Sequence, residues 1–243
     1  MREPRLYLDL ELKCELELTL PTQASHYVSK VLRMRVGQHF WLFNGSGGFY
    51  QAEIIAMARR QVDVIVREFE EDKLEPTLHI TLAQGISRGQ HMDYTLQKAV
   101  ELGVSKIVPL MTEFGNVRIE EKSAEKKMLH WRKIIIASCE QCGRNRLPAL
   151  SEPTSLLQWL ALDDNSVKLL LHPGAGQRLS TLGNINDPLS VLTGPEGGFS
   201  SIEVEQAMAS DYVSVNLGPR VLRTETAAVA AISACQALWG DMG

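Results

Sequence analysis

Cysteine is scarce in this chain of 243 residues, and its four copies, Cys14, Cys139, Cys142 and Cys235, fit no metal or redox framework. Cys139 and Cys142 form a CxxC, but no second pair exists to complete a zinc site. A reactive thiolate favours a helix N-terminus, whereas this pair ends a long helical pattern just before Gly143, so the cysteines read as structural or incidental. The six histidines are scattered and make no HExxH, so no metal is expected. No GxGxxG follows a strand and no GxxxxGK(S/T) occurs, which leaves a dinucleotide-binding Rossmann site and a P-loop without support. No apolar run approaches the ~20 residues needed to cross a membrane. Met1-Arg2-Glu3-Pro4-Arg5 puts charge and proline where a signal peptide would need an apolar stretch, so the expected location is cytoplasmic.

Positive charge is also in short supply, with 25 Lys and Arg against 29 Asp and Glu and a net charge of −4. Its distribution matters more than its total. Residues 1–73 balance to −1, residues 74–150 to +3 and residues 151–243 to −6. A local basic patch can hold phosphate on an acidic protein, but such a protein does not coat nucleic acid indiscriminately. A hydrophobic fraction of 44% and a charged fraction of 22% fit a globular chain, long enough for one large domain or two smaller ones.

Short alternating, β-branched and aromatic runs at 6–8, 15–18, 39–43, 49–54 and 62–66 predict strands. Asn44-Gly45-Ser46-Gly47-Gly48 predicts a hairpin turn, and residues 25–34 a helix. The expectation over residues 1–73 is a small β-barrel with one helix, followed by a charged linker over 68–76 that ends at Pro76. From residue 74 to 243 strands and helices alternate. Strands are predicted at 78–83, 104–110, 167–171, 189–193 and 213–217, and helices at 88–102, 123–142 and 225–238. The later strands are almost continuously apolar, which predicts a parallel sheet buried on both faces in an α/β domain.

Three of these strands run directly into loops of unusual composition: His172-Pro173-Gly174-Ala175-Gly176, Gly194-Pro195-Glu196-Gly197-Gly198, and Gly218-Pro219-Arg220-Val221-Leu222. In open α/β sheets ligands sit beyond the C-terminal ends of the strands, so three such loops at one edge predict one site. Glycine is needed there because it lets backbone groups approach a ligand closely. Ser200 and Glu203 have capping-box spacing, so part of the second motif is helix initiation.

The segments 32–37 (LRMRVG), 97–103 (QKAVELG), 140–148 (EQCGRNRLP), 194–198 (GPEGG) and 217–226 (LGPRVLRTET) closely resemble the ribosomal RNA small subunit methyltransferase E family. The resemblance spans essentially the whole chain. It implies transfer of a methyl group from S-adenosyl-L-methionine to N3 of a uridine in small-subunit ribosomal RNA. It further implies a SPOUT-type α/β domain tied in a trefoil knot, an N-terminal PUA-like barrel that holds RNA, and a homodimer with sites near the subunit interface.

Leu171, His172 and Pro173, then Thr193, Gly194, Pro195, Glu196, Gly197 and Gly198, are the expected cofactor contacts of the first two loops. The third contributes Asn216, Leu217, Gly218, Val221, Leu222, Arg223 and Thr226. Glu196 is read as reaching the ribose hydroxyls or as stabilising its own loop. Uridine N3 must lose a proton to become a nucleophile, so a catalyst wants a base near N3 and a cation near the flanking carbonyl oxygens. Arg223 and Glu225 are the expected catalytic pair: Arg223 stabilises the anion, and Glu225 acts as base or positions the substrate. An acid complementing a helix N-terminus explains Glu225 equally well. Arg144, Asn145 and Arg146 are read as an RNA contact, extended by Arg33, Arg35, Arg88 and Lys98. Two other classes remain open: a non-catalytic ribosome-assembly factor, which would need no intact ligand loops, and an enzyme using another adenine nucleotide.

Overall fold

The computed structural model describes residues 3–71, 74–115, 121–162 and 165–243. It divides into two units, one of residues 1–75 with 139–147 and one of residues 76–138 with 148–243.

In the first unit the period-2 runs become strands β1 (Arg5–Tyr7), β2 (Glu17–Thr19), β3 (His39–Phe43), β4 (Phe49–Ala58) and β5 (Gln61–Glu70), with helix α1 (Thr22–His26) after β2. They form one sheet in the order β1-β3-β4-β5-β2, antiparallel except for the β1–β3 pair. Inward-facing Leu6, Phe40, Leu42, Ile54, Val64 and Val66 pack with Val28 into a single apolar core. The helix expected over 25–34 starts three residues earlier and is irregular. After α1 comes a π-helical turn, Tyr27–Val31, and Arg33 at φ 54° ends it. β5 runs through Glu70, into what the sequence suggested was linker; residues 72 and 73 of that linker lie outside the described residues.

Segment 139–147 belongs to this unit, although the sequence division at residue 73 assigned it to the other. Polar contacts explain why. Arg5 Nη1 donates to Asn145 Oδ1 at 2.6 Å, and the Tyr7 backbone N–H donates to Glu140 Oε1 at 3.0 Å. Arg144 donates from Nε and Nη2 to the two Glu75 oxygens at 3.1 and 2.8 Å.

The second unit opens with β6 (Ile80–Gly85), α2 (Gly89–Glu101), β7 (Lys106–Met111) and α3 (Glu121–Cys142), whose last four residues belong to the first unit. Then come β8 (Ala149–Leu150), β9 (Thr154–Ser155), α4 (Leu156–Leu160), β10 (Val167–Leu171) and β11 (Gln177–Arg178). It closes with β12 (Leu189–Thr193), α5 (Ser201–Ala209), β13 (Val213–Asn216) and α6 (Thr224–Trp239). Every recorded ladder is parallel, in the order β11-β13-β10-β12-β6-β7-β8, with β9 also on β7. The apolar strands are central: all five residues of β12 are buried. β8, β9 and β11 have two residues each, too short to show a hydrophobic period. α4 begins with a Ser155–Gln158 capping box and α5 with the expected Ser200–Glu203 box. Among the described residues no helix is long and apolar enough to cross a membrane, and no group of three or more His, Cys, Asp or Glu could hold a metal ion.

Candidate active site

β13, β10 and β12 are neighbours in the sheet and run the same way, so the loops that follow them emerge side by side. Between them lies a cavity of about 540 Å³, within the ~300–1,000 Å³ usual for small-molecule sites. Of the sixteen residues expected to contact a cofactor, all but Thr226 line it; Thr226 is exposed on the first turn of α6. His91, Phe199, Val215, Arg220, Thr224 and Ala227 also line it, as does Glu225.

The loops are tied to one another by polar groups. Asn216 Nδ2 donates to Ala175 O at 2.5 Å while its Oδ1 accepts from the Gly218 N–H at 3.1 Å, joining the first loop to the third. His172 Nδ1 accepts from the Gly174 N–H at 3.2 Å, so this imidazole shapes its own turn as well as facing the cavity. Glu196 Oε1 accepts from the Arg88 N–H at 2.8 Å, which anchors the second loop to the start of α2. Gly198 and Gly218 have φ values of 69° and 107°, where a side chain would be strained, yet a Cβ at either would meet nothing within 4 Å. Both glycines therefore leave open space beside bare backbone, as a cradle for a polar ligand requires.

Arg223 occupies the N-cap position of α6, exposed and at the cavity wall. A cation there opposes the helix dipole, so helix stability does not explain the residue. Glu225, on the first turn of α6, has a side chain only 15% exposed, with Oε2 3.1 Å from His91 Nδ1. The two atoms are near enough for an ion pair, but their angle does not make a hydrogen bond.

The residues expected to meet RNA are placed unevenly. Arg33, Arg35, Arg88 and Arg146 are exposed. Lys98 is half-buried, with Nζ held by Glu101 at 2.7 and 2.8 Å. Arg144 and Asn145 are not surface residues: they are 5% and 0% exposed and make the Glu75 and Arg5 contacts of the first unit. A run of two cations after a helix end looked like a phosphate contact because sequence does not report burial. Burial pushes the Cys139 and Cys235 thiols up to about 12, so neither is a thiolate at neutral pH.

Sequence reasoning missed His91, which lies on the first turn of α2 with no motif around it. It also missed Gln84, fully buried at the end of β6. One signal for Gln84 was available: an amide directly after the mostly apolar run Ile80-Thr81-Leu82-Ala83, in the same strand, needs a reason to be there.

Comparison with known proteins agrees with this geometry. A family model described as an RNA methyltransferase domain matches residues 73–236, and one described as an RNA methyltransferase PUA domain matches residues 20–67. The ribosomal RNA small subunit methyltransferase E of Buchnera aphidicola subsp. Schizaphis graminum is 36% identical over 99% of this chain and 98% of its own length. A Legionella pneumophila methyltransferase, solved in complex with the bound cofactor SAM, is 40% identical and covers 99% of this chain and 100% of that one, with a TM-score of 0.95. The small subunit methyltransferase E of Neisseria gonorrhoeae, bound to S-adenosyl methionine, is 34% identical over all of both chains, with a TM-score of 0.92. The family model over residues 73–236 and the 36% identity over nearly the whole chain make this chain a member of the ribosomal RNA small subunit methyltransferase E family.

Proposed function

We propose that this protein transfers a methyl group from S-adenosyl-L-methionine to N3 of a uridine in small-subunit ribosomal RNA. The observation that carries the reading is the cavity at the ends of β10, β12 and β13, with Arg223 and Glu225 on its wall. Its three loops offer backbone N–H and C=O groups in a space of the right size for the cofactor. Asn216, Glu196 and His172 hold those loops in shape, and the Leu171, Leu217, Val221 and Leu222 side chains supply apolar wall. The cofactor supplies the electrophile, a methyl on a sulfonium, so the chain's own work is binding, orientation and electrostatics.

The uridine N3 proton must leave before the ring nitrogen can attack. Glu225 accepts that proton or aligns the ring, with His91 Nδ1 3.1 Å from its Oε2. Arg223 faces the two ring carbonyl oxygens, which carry the negative charge once the proton is gone. Methylation at N3 needs the Watson–Crick edge free, so the target is unpaired or turned out of its helix.

The first unit is read as a PUA-like barrel that holds RNA, with Arg33, Arg35 and Arg146 as its exposed cations. Arg88 offers a further cation on the second unit. Arg144 and Asn145 are assigned to holding the first unit together. The trefoil knot implied by the family resemblance is supported by the chain path. β12 inserts between β6 and β10, β13 lies on the far side of β10, and α6 then returns to pack on α2 and β12. A homodimer is part of the same reading, and sedimentation at micromolar concentration tests it.

The test of function has two stages. Calorimetry with S-adenosylhomocysteine should show one saturable site per chain. Mass analysis of small-subunit RNA from cells lacking the protein should then lack one methyluridine, which the purified protein restores. No cofactor binding would instead favour an assembly factor that only holds RNA.

A further inference from the structure

The polar network beneath the cavity has more contacts than packing requires. Gln84 sits at the end of β6, 0% exposed, in register with Thr193 on β12. Its Nε2 lies 3.2 Å from Gly194 O, 3.1 Å from Thr224 Oγ1 and 2.9 Å from Gly85 O. Its Oε1 accepts from Thr193 Oγ1 at 2.5 Å. The amide orientation follows from these partners, because a flipped amide would turn its oxygen toward two carbonyl oxygens. Thr224 Oγ1 in turn donates to Gly194 O at 2.6 Å and lies 3.3 Å from Ser87 Oγ. Thr224 is the residue between Arg223 and Glu225.

A buried amide is costly unless every polar atom finds a partner, and an apolar side chain would fill the same space without that demand. What the amide adds is direction. It fixes, from one side chain, both the carbonyl that starts the cofactor loop and the hydroxyl that starts α6. The same loop is fixed a second time by Glu196 on the Arg88 N–H. Beside Gln84, a Cβ on Gly85 would sit 2.5 Å from Pro195 N, so this strand end presses directly against the loop.

Resting on the methyl-transfer reading above, we propose that Gln84 is a positioning residue for that reaction. Acting through Thr224 and Gly194, it sets the angle at which Arg223 and Glu225 meet the bound cofactor. It touches neither cofactor nor substrate. Its effect should therefore be much larger in turnover than in cofactor affinity.

Four variants test this: Gln84→Met, similar in length without the amide; Gln84→Glu, which keeps the acceptor and loses the donors; Thr224→Val; and Thr224→Ser, which keeps the hydroxyl. Turnover is measured on small-subunit RNA, with active sites counted by S-adenosylhomocysteine titration. Misplacement by about 1 Å costs on the order of 100-fold in rate, which is the loss of kcat expected for Gln84→Met, Gln84→Glu and Thr224→Val. The S-adenosylhomocysteine Kd should move by less than about tenfold, and Thr224→Ser should recover turnover to within about threefold of the unmodified protein. Folded variants that keep kcat within about twofold while only the Tm falls would overturn the proposal, since a purely structural network predicts that pattern. Equal losses for Thr224→Ser and Thr224→Val would overturn it too. An unmodified protein that neither binds S-adenosylhomocysteine nor turns over would instead sink the methyl-transfer reading itself.

Discussion

The pair Arg144–Glu75 offers a direct measure of what segment 139–147 does. Its guanidinium is held at 3.1 and 2.8 Å by both carboxylate oxygens, with side-chain exposures of 6% for Arg144 and 25% for Glu75. Breaking a buried ion pair by removing one partner costs about 3–5 kcal/mol, because the other charge stays buried. Arg144 is the more deeply buried of the two, so Glu75→Ala removes two charge-assisted hydrogen bonds from the charge that water reaches least. Arg144→Ala strands a carboxylate that water can partly solvate, but it also deletes an apolar stem packed in the unit. Both single variants are expected near that range, and at roughly 2–4 °C per kcal/mol for a chain of this size the Tm should fall by roughly 6–20 °C. The double variant should cost clearly less than the sum of the singles, since both single losses break the same pair. Scanning calorimetry reads all three, and filter binding of small-subunit RNA reads the alternative. If Arg144→Ala left the Tm within about 1 °C and weakened RNA binding with a reduced salt slope, the ion-pair reasoning would be refuted and Arg144 would be a phosphate contact.

Three further outcomes follow from the site and the buried groups. Arg223→Ala should abolish methylation of small-subunit RNA while calorimetry still detects S-adenosylhomocysteine; unchanged turnover would reject its role. With a thiol reagent at neutral pH the native protein should label at exposed Cys14, while Cys139 and Cys235, buried and pushed up to about 12, stay silent until unfolding. Rapid native labelling of either would show that the interior opens. Burial raises the Glu140 pKa above its ordinary 4.5, against a smaller opposing effect from the Tyr7 N–H. A raised carboxyl favours folding at low pH, and that contribution is lost as pH rises through the folded-state pKa. Glu140→Gln should therefore raise the Tm at pH 7 and match the unmodified protein near pH 4; a Tm difference independent of pH would contradict this.

The cavity was legible in the sequence because its signals are local. β10 and β12 stand at the predicted bounds because each apolar run ends at a Gly/Pro loop, and a parallel sheet brings those loops to one edge. The start of α6 was equally plain from its alanine-rich run. What escaped were polar pairs between distant parts of the chain. Arg5 and Asn145 are 140 residues apart, as are Gln84 and Thr224. A hydrogen bond across such a separation leaves no periodic trace, and neither residue type announces whether it is buried. The same gap explains why Arg144 resembled a surface cation and why His91 was not grouped with Glu225. Short elements were lost for a different reason: a two-residue strand such as β8 or β11 shows no period at all.

The discontinuity of the first unit has a consequence for how the chain is made. During synthesis residues 1–75 leave the ribosome before 139–147, the segment in which Arg5, the Tyr7 N–H and Glu75 each find a hydrogen-bond partner. An N-terminal segment that would ordinarily fold as soon as it emerged must instead wait for another sixty-odd residues of the second unit. Until then it carries an open polar seam. A fragment cut after residue 75 would keep that seam permanently, so the first unit cannot be isolated whole by a single cut.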